Sequence, residues 1–201
     1  MIAVLDYGMG NLRSVEKALE HVGAAVEITY EPERVRAAEA LVLPGVGAFP
    51  KAMEAIRRRG LDELVHERRI AGVPILGICL GMQLLFDSSV ELRGADGLGL
   101  LPGEVRGLDA PGLKVPQIGW NTVSWKQQSA LVAGLDGGAA FYHVHSFAPV
   151  ASNAVVLGTA EYGSEFVSAV GRDGVYGVQF HPEKSGPDGL TLLGNFVKLA
   201  Q

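Results

Sequence analysis

The chain has 201 residues, 48% hydrophobic and 19% charged, with 27 glycines, one cysteine and a net charge of −5. One cysteine excludes an internal disulfide and points to the cytoplasm, and the acidic balance speaks against a general nucleic-acid binder. Residues 70–86 carry no charge, but Pro74, Gly77 and Gly81 interrupt them and Gln83 is polar, so they read as a buried strand running into a half-buried helix rather than as a membrane span.

In chain order, residues 2–5 read as a first buried strand. Asn11 caps a helix with apolar residues at Leu12, Val15, Ala18, Leu19 and Val22, and Gly23 ends it. Residues 26–30 form a second strand, and Pro32 opens a short helix at its first position. Residues 40–43 form a third strand that runs into Pro44-Gly45-Val46-Gly47. Residues 49–71 are helical with a break at Gly60, residues 73–78 make a fourth strand, and residues 82–86 open the next helix. This β-α-β-α alternation predicts a parallel sheet with helices on both faces. From about Lys114 the pattern changes to short strands joined by tight turns, as in 166–170 and 175–180 around Asp173-Gly174, and residues 190–199 are helical. The expected fold is α/β: one domain over 1–201, with a mixed, mostly parallel central sheet flanked by helices and antiparallel strands in the C-terminal half.

Ligands of such sheets gather at the carboxyl ends of the parallel strands, and two chemical signals fall there. Gly77-Ile78-Cys79-Leu80-Gly81 has the form of a nucleophile elbow, a sharp strand-to-helix turn that presents one side chain. The N-terminus of the following helix favours a thiolate. His181-Pro182-Glu183 supplies the second signal. In extended chain, residues i and i+2 share a face, so Glu183 can hold one imidazole nitrogen while the other faces the thiol, as the third member of a triad does. An attacked carbonyl needs N–H donors for its oxyanion. The backbone of Leu80 is one candidate and the Val46 loop the other, where Gly45 and Gly47 let the backbone approach a substrate.

Other signals carry less. Gly8-Met9-Gly10-Asn11-Leu12-Arg13 falls short of a dinucleotide fingerprint because Arg13 stands at the third glycine. His143 and His145 share a strand face without an accompanying Cys or carboxylate cluster. No phosphate-binding loop is present. No cofactor and no metal are expected.

These strings resemble the class I (triad) glutamine amidotransferase family, whose glutaminases hydrolyse the side-chain amide of glutamine through a cysteine thioester and release ammonia. The resemblance spans essentially the whole chain and implies a flavodoxin-like fold. It rests on Leu43-Pro44-Gly45-Val46-Gly47-Ala48-Phe49, on the run from Gly77 to Phe86, on Tyr142-His143-Val144-His145-Ser146-Phe147 and on Gln179-Phe180-His181-Pro182-Glu183-Lys184-Ser185. Asp6-Tyr7-Gly8-Met9-Gly10-Asn11-Leu12, Gly119-Trp120-Asn121 and His-Pro-Glu-Lys-Ser point within the family to the branch that serves histidine biosynthesis, as against those serving anthranilate, pyridoxal phosphate, purine or pyrimidine synthesis. The resemblance assigns Cys79 as nucleophile, His181 as base and acid, and Glu183 as orienter. It places Gln83 and Glu91 at the amino group of L-glutamine and backbone near Ser146 and Phe147 at its carboxylate. It implies a 1:1 heterodimer with a cyclase/synthase subunit built as a (β/α)8 barrel, met by Tyr142 and Lys184. Asn11 and Ser14 belong to the same face, although Asn11 reads equally well as only a helix cap. A catalytically silent, glutamine-sensing member is the alternative of a different class, and the intact Cys79, His181 and Glu183 set argues against it.

Overall fold

The computed structural model describes residues 1–135 and 137–200. The first half runs β1 (Ile2–Leu5), α1 (Leu12–His21), β2 (Val26–Thr29), α2 (Pro32–Arg36), β3 (Ala40–Gly45), α3 (Phe49–Arg58), α4 (Leu61–Ile70), β4 (Ile75–Cys79) and α5 (Leu80–Leu84). The second half adds β5 (Phe86–Ser89), β6 (Ala95–Asp96), β7 (Leu101–Gly107), β8 (Gln117–Thr122), β9 (Ser124–Trp125), β10 (Ala140–His145), β11 (Phe147–Val150), β12 (Val156–Tyr162), β13 (Ser164–Arg172), β14 (Val175–Val178) and α6 (Gly186–Leu199).

The central sheet has the order β2-β1-β3-β4-β14-β13-β12-β9. Its first five strands are parallel, with β14 running alongside β4, and the rest are antiparallel. The mixed, mostly parallel α/β sheet expected from the sequence is therefore present. Strands buried on both faces read as continuous apolar runs, and successive side chains split between two cores. Ala3, Leu5, Leu41 and Leu43 pack with α2, α3 and α4, whereas Ile2, Val4, Ala40 and Val42 pack with α1 and α6.

Three local expectations are corrected. The segment after Cys79 is not a long half-buried helix. Its α5 has five residues, all buried, and Phe86 opens a strand instead. The reason is non-local: the N–H groups of Leu98, Gly99 and Leu100 bond the carbonyls of Leu84, Phe86 and Leu85, so a returning segment takes the carbonyls that a further helical turn would use. This return builds a second sheet, β11-β7-β5-β6, which periodicity alone did not suggest. Asn11 stands at the N-cap position of α1 but makes no side-chain cap bond. The expected break at Gly60 is present, with Gly60 in the left-handed region between α3 and α4. Helix α6 begins at Gly186, ahead of the expected residue 190, and carries a proline in its first turn.

Candidate active site

Strand β4 ends in a strained turn. Cys79 has φ 56° and ψ −112°, a conformation uncommon for any residue with a Cβ and held only where the surroundings over-determine it. The flanking glycines show what does so. A Cβ on Gly81 would overlap the Leu43 carbonyl of the neighbouring strand, and one on Gly77 would lie 2.6 Å from the Gly81 carbonyl oxygen. Strand, elbow and helix thus touch through backbone alone. The short α5 aligns few peptide dipoles, so its help to a sulfur anion is smaller than a long helix would give.

The carboxyl end of β14 brings up the second half of the site. His181 is extended, and Pro182–Lys184 form a 3₁₀ turn in place of the extended chain expected there. The pairing survives this change: His181 Nδ1 lies 2.8 Å from Glu183 Oε1, and both side chains are almost fully buried. Burial pulls the imidazole pKa down, but hydrogen bonding and charge from the Cys79 sulfur and the Glu183 carboxylate outweigh it and raise His181 to about 9. The turn is fastened by Ser185, whose hydroxyl donates to the His181 carbonyl at 2.6 Å and accepts from the Tyr142 N–H at 3.0 Å.

Cys79, Leu80, Gln83 and His181 line one cavity of about 320 Å³ together with Val46, Gly47, Glu91, Pro116, Lys184 and residues 144–147, a size that suits one small metabolite. The structure therefore brings ten of the residues named from the sequence to a single pocket. Glu183 stands behind His181. Tyr142, Asn11 and Ser14 are not on the lining. Tyr142 sits half-buried on β10 with its ring edge-on to Trp120 at 6.2 Å, and α1, which carries Ser14, packs against the 3₁₀ turn of Lys184. Glu91 also meets an interior need: its Oε2 accepts from the Phe49 N–H at the start of α3, at 2.7 Å.

His145, on the lining, and His143, behind it on β10, form a buried polar layer. His143 bonds the Phe141 carbonyl and the Ser168 hydroxyl, and His145 bonds the Phe147 carbonyl and the Gln117 carboxamide. Burial, with a neighbouring histidine charge adding to it, lowers His143 to about 3 and His145 to about 4. With every ring nitrogen taken by the protein, neither side chain is free to ligate a metal.

Sequence reasoning missed three neighbours of the thiol. The Val144 carbonyl lies 3.7 Å from the sulfur as an acceptor, and the Gln179 amide nitrogen lies 3.8 Å from it. Tyr7, buried, donates to the Pro44 carbonyl at 2.6 Å and supports the Val46 loop from below; burial, then the Cys79 charge, raises its pKa far above the ordinary tyrosine value. Gln179 carried a signal: it is a lone polar side chain in the apolar run 175–180.

Residues 3–200 match the model of the family described as Glutamine amidotransferase class-I, and the chain belongs to that family. It is 51% identical over 201 residues to the imidazole glycerol phosphate synthase subunit HisH of Moorella thermoacetica, covering 100% of this chain and 95% of that one. It is 47% identical over 196 residues to the subunit of the same description from Bacillus cereus strain AH187, covering 98% and 93%. Among solved structures it is similar to a crystal structure of glutamine amidotransferase, with TM-score 0.75 and 26% identity over 99% of this chain and 98% of that one. The fold alone is shared with the structure of PurLQS from Thermotoga maritima, at TM-score 0.79 and 21% identity over 100% and 98% of the two chains.

Proposed function

We propose that this chain is the glutaminase subunit of an imidazole glycerol phosphate synthase, which hydrolyses L-glutamine to glutamate and ammonia for histidine biosynthesis. The observation that carries the reading is the Cys79 elbow, at positive φ, sharing one pocket with His181, which Glu183 holds from behind. Cys79, as thiolate, attacks the carboxamide carbon, and His181 holds the proton. The oxyanion is met by the N–H groups of Leu80 and Val46. As the C–N bond breaks, His181 gives its proton to the departing nitrogen and ammonia leaves. Water then attacks the thioester, His181 takes a proton from it, and glutamate departs as the C–S bond breaks. Glu183 holds the ring in orientation throughout and balances the imidazolium.

Gln83 and Glu91 are assigned to the amino group of the substrate, with Gly47, Ser146 and Phe147 at its backbone end. Glu91 Oε2 is engaged with Phe49, which leaves Oε1 to meet an ammonium. Ammonia needs an acceptor site, and the proposed partner is a (β/α)8-barrel cyclase/synthase subunit in a 1:1 heterodimer in the cytoplasm. The proposed contact face holds Asn11, Ser14, Tyr142 and Lys184. Support for it comes from β8 beside Tyr142, where Ile118 is 63% and Trp120 59% exposed, aromatic and aliphatic surface of the kind interfaces use. No helix among the described residues is long and apolar enough to cross a membrane.

The test mixes the purified chain with a synthase subunit and follows glutamate release. Cys79→Ala is expected to lose at least about 10³-fold in glutaminase rate while synthesis from added ammonium salt continues. Equal loss of both activities would sink the division of labour, and independent elution of the two subunits would sink the heterodimer.

A further inference from the structure

The geometry assigns Gln179 as a positioning residue that donates an amide N–H to the Cys79 sulfur and, through its other end, fixes the orientation of Gln83. This deepens the glutaminase reading and rests on it. Gln179 is fully buried, at the point where β14 gives way to the His-Pro-Glu turn. Its Nε2 lies 3.8 Å from Cys79 Sγ and its Oε1 3.1 Å from Gln83 Nε2. Gln83 in turn places Nε2 2.9 Å from the Phe147 carbonyl.

The direction of every bond in this chain follows from one group that can only accept. The Phe147 carbonyl takes the Gln83 N–H on one side and His145 Nδ1, at 2.8 Å, on the other. Gln83 must therefore turn its amino group toward Phe147, and the second hydrogen of that group reaches Gln179 Oε1. Gln179 is left with its own amino group toward the sulfur, the orientation an anion requires. His145 donates from Nδ1 to the Phe147 carbonyl, and its Nε2 lies 3.0 Å from Gln117 Oε1 on the far side of the ring. Both hydrogens of the Gln83 amino group are committed, which leaves its Oε1 as the polar atom offered to a ligand in the pocket it lines.

Two consequences follow at the nucleophile. Besides the imidazole of His181 and the Val144 carbonyl, the sulfur has a neutral amide donor on a different side chain, so the anion is stabilised by a donor that cannot itself take the proton. The same carboxamide ties the nucleophile to the side chain proposed to meet the amino group of glutamine. Displacement of Gln179 would loosen both together.

The experiment measures the rate of alkylation of the lone thiol by iodoacetamide against pH in the full chain, and glutamine kcat and KM in the complex with the synthase subunit. Facing the sulfur are His181, with Glu183 behind it, and the Tyr7 hydroxyl, and Glu91, His145 and Lys184 line the same cavity; all are retained in Gln179→Met. In Gln179→Met, which removes donor and acceptor, the alkylation midpoint is expected to rise by about one pH unit, kcat to fall about tenfold and KM to rise several-fold. Gln179→Glu keeps an oxygen for Gln83 and puts a carboxylate beside the sulfur, so it reports on the Gln83 contact alone, and KM returns toward the parent value. If the methionine variant does not fold, Gln179→Leu, which likewise removes the donor and adds no charge, reports the midpoint. A folded variant with lowered Tm and an unmoved midpoint would overturn the assignment, since a purely structural glutamine would behave that way. Absence of glutaminase turnover in the parent complex would defeat the functional reading instead, and the alkylation profile would still judge the contact with the sulfur.

Discussion

On one side of the pocket Cys79 is held by backbone sterics, on the other residues 144–147 are held by buried hydrogen bonds. The elbow needs two glycines because Leu43 and Gly81 leave no room for a Cβ. The facing wall is backed by His143 and Gln117 and lined by His145 and Gln83, whose polar atoms are buried and bonded within the protein. Steric control acts between near neighbours and tolerates no substitution. Polar control spans β8, β10, β11 and α5, and each member can be altered with a graded loss. The same contrast runs through the imidazoles: against burial, His181 has the Cys79 sulfur and a carboxylate and rises to about 9, whereas burial takes His143 and His145 down to about 3 and 4.

The largest expected effect is on the steric side. Gly81→Ala forces strand β3 away from the elbow, because the obstacle is backbone rather than a flexible side chain. A loss of roughly 3 kcal/mol or more is expected, of the size seen with severe overpacking or strain, together with loss of glutaminase activity. Urea unfolding and single-turnover thioester formation check it. A variant as stable and as active as the parent would show that the elbow has slack, and the comparison between the two walls would fail.

Opposite pH limbs sharpen the comparison. His181 is raised above its unfolded value of 6.5, so its contribution to stability is fully present below about pH 6.5 and is lost as pH rises through about 9. His143 and His145 are depressed, so theirs is present above about pH 6.5 and is lost as pH falls toward about 4 and then 3, because the unfolded chain takes up protons that the folded chain refuses. Glu183→Gln should weaken the alkaline limb, leaving the part that the Cys79 sulfur supplies, and lower kcat by about 10²-fold or more. His145→Gln should remove one proton from the uptake on the acid limb. Urea midpoints between pH 3 and 10 report both, and a stability profile that stays flat from pH 6.5 to 4 would contradict the buried neutral histidines.

What the sequence made legible follows the same division. The G-x-C-x-G elbow, the His-Pro-Glu pairing and the Gly45–Gly47 approach are local, and spacing alone set them out. The parallel half of the sheet was equally legible, since strands buried on both faces leave unbroken apolar runs in 2–5 and 40–43. The β5-β6-β7-β11 sheet was not: residues 82–86 carry a helix-like apolar pattern, and only the return of 98–100 onto their carbonyls ends the helix. Gln179 stood out as a polar side chain in an apolar run, but its role was hidden, because its partners lie 96 and 100 residues away in the chain. His143 and His145 gave a correct shared face, but nothing local showed that Ser168 and Gln117 would occupy their nitrogens.

The smallest effect tests the point where the two kinds of control meet. Tyr7 is buried beneath the Val46 loop and donates to the Pro44 carbonyl at 2.6 Å. It also closes off the space above Gly45, where a Cβ would run into its hydroxyl. Tyr7→Phe keeps the ring and its packing and removes only the donor, leaving the Pro44 carbonyl without that partner. A loss of about 1 kcal/mol is expected, the usual size for one buried neutral hydrogen bond. Because Val46 is the proposed second oxyanion donor, a loosened Pro44–Gly47 segment should lower kcat severalfold and leave KM nearly as it was. Should kcat be untouched while stability falls, the loop is held by the β3–β4 pairing and its glycines alone, and steric control extends over that whole side of the pocket.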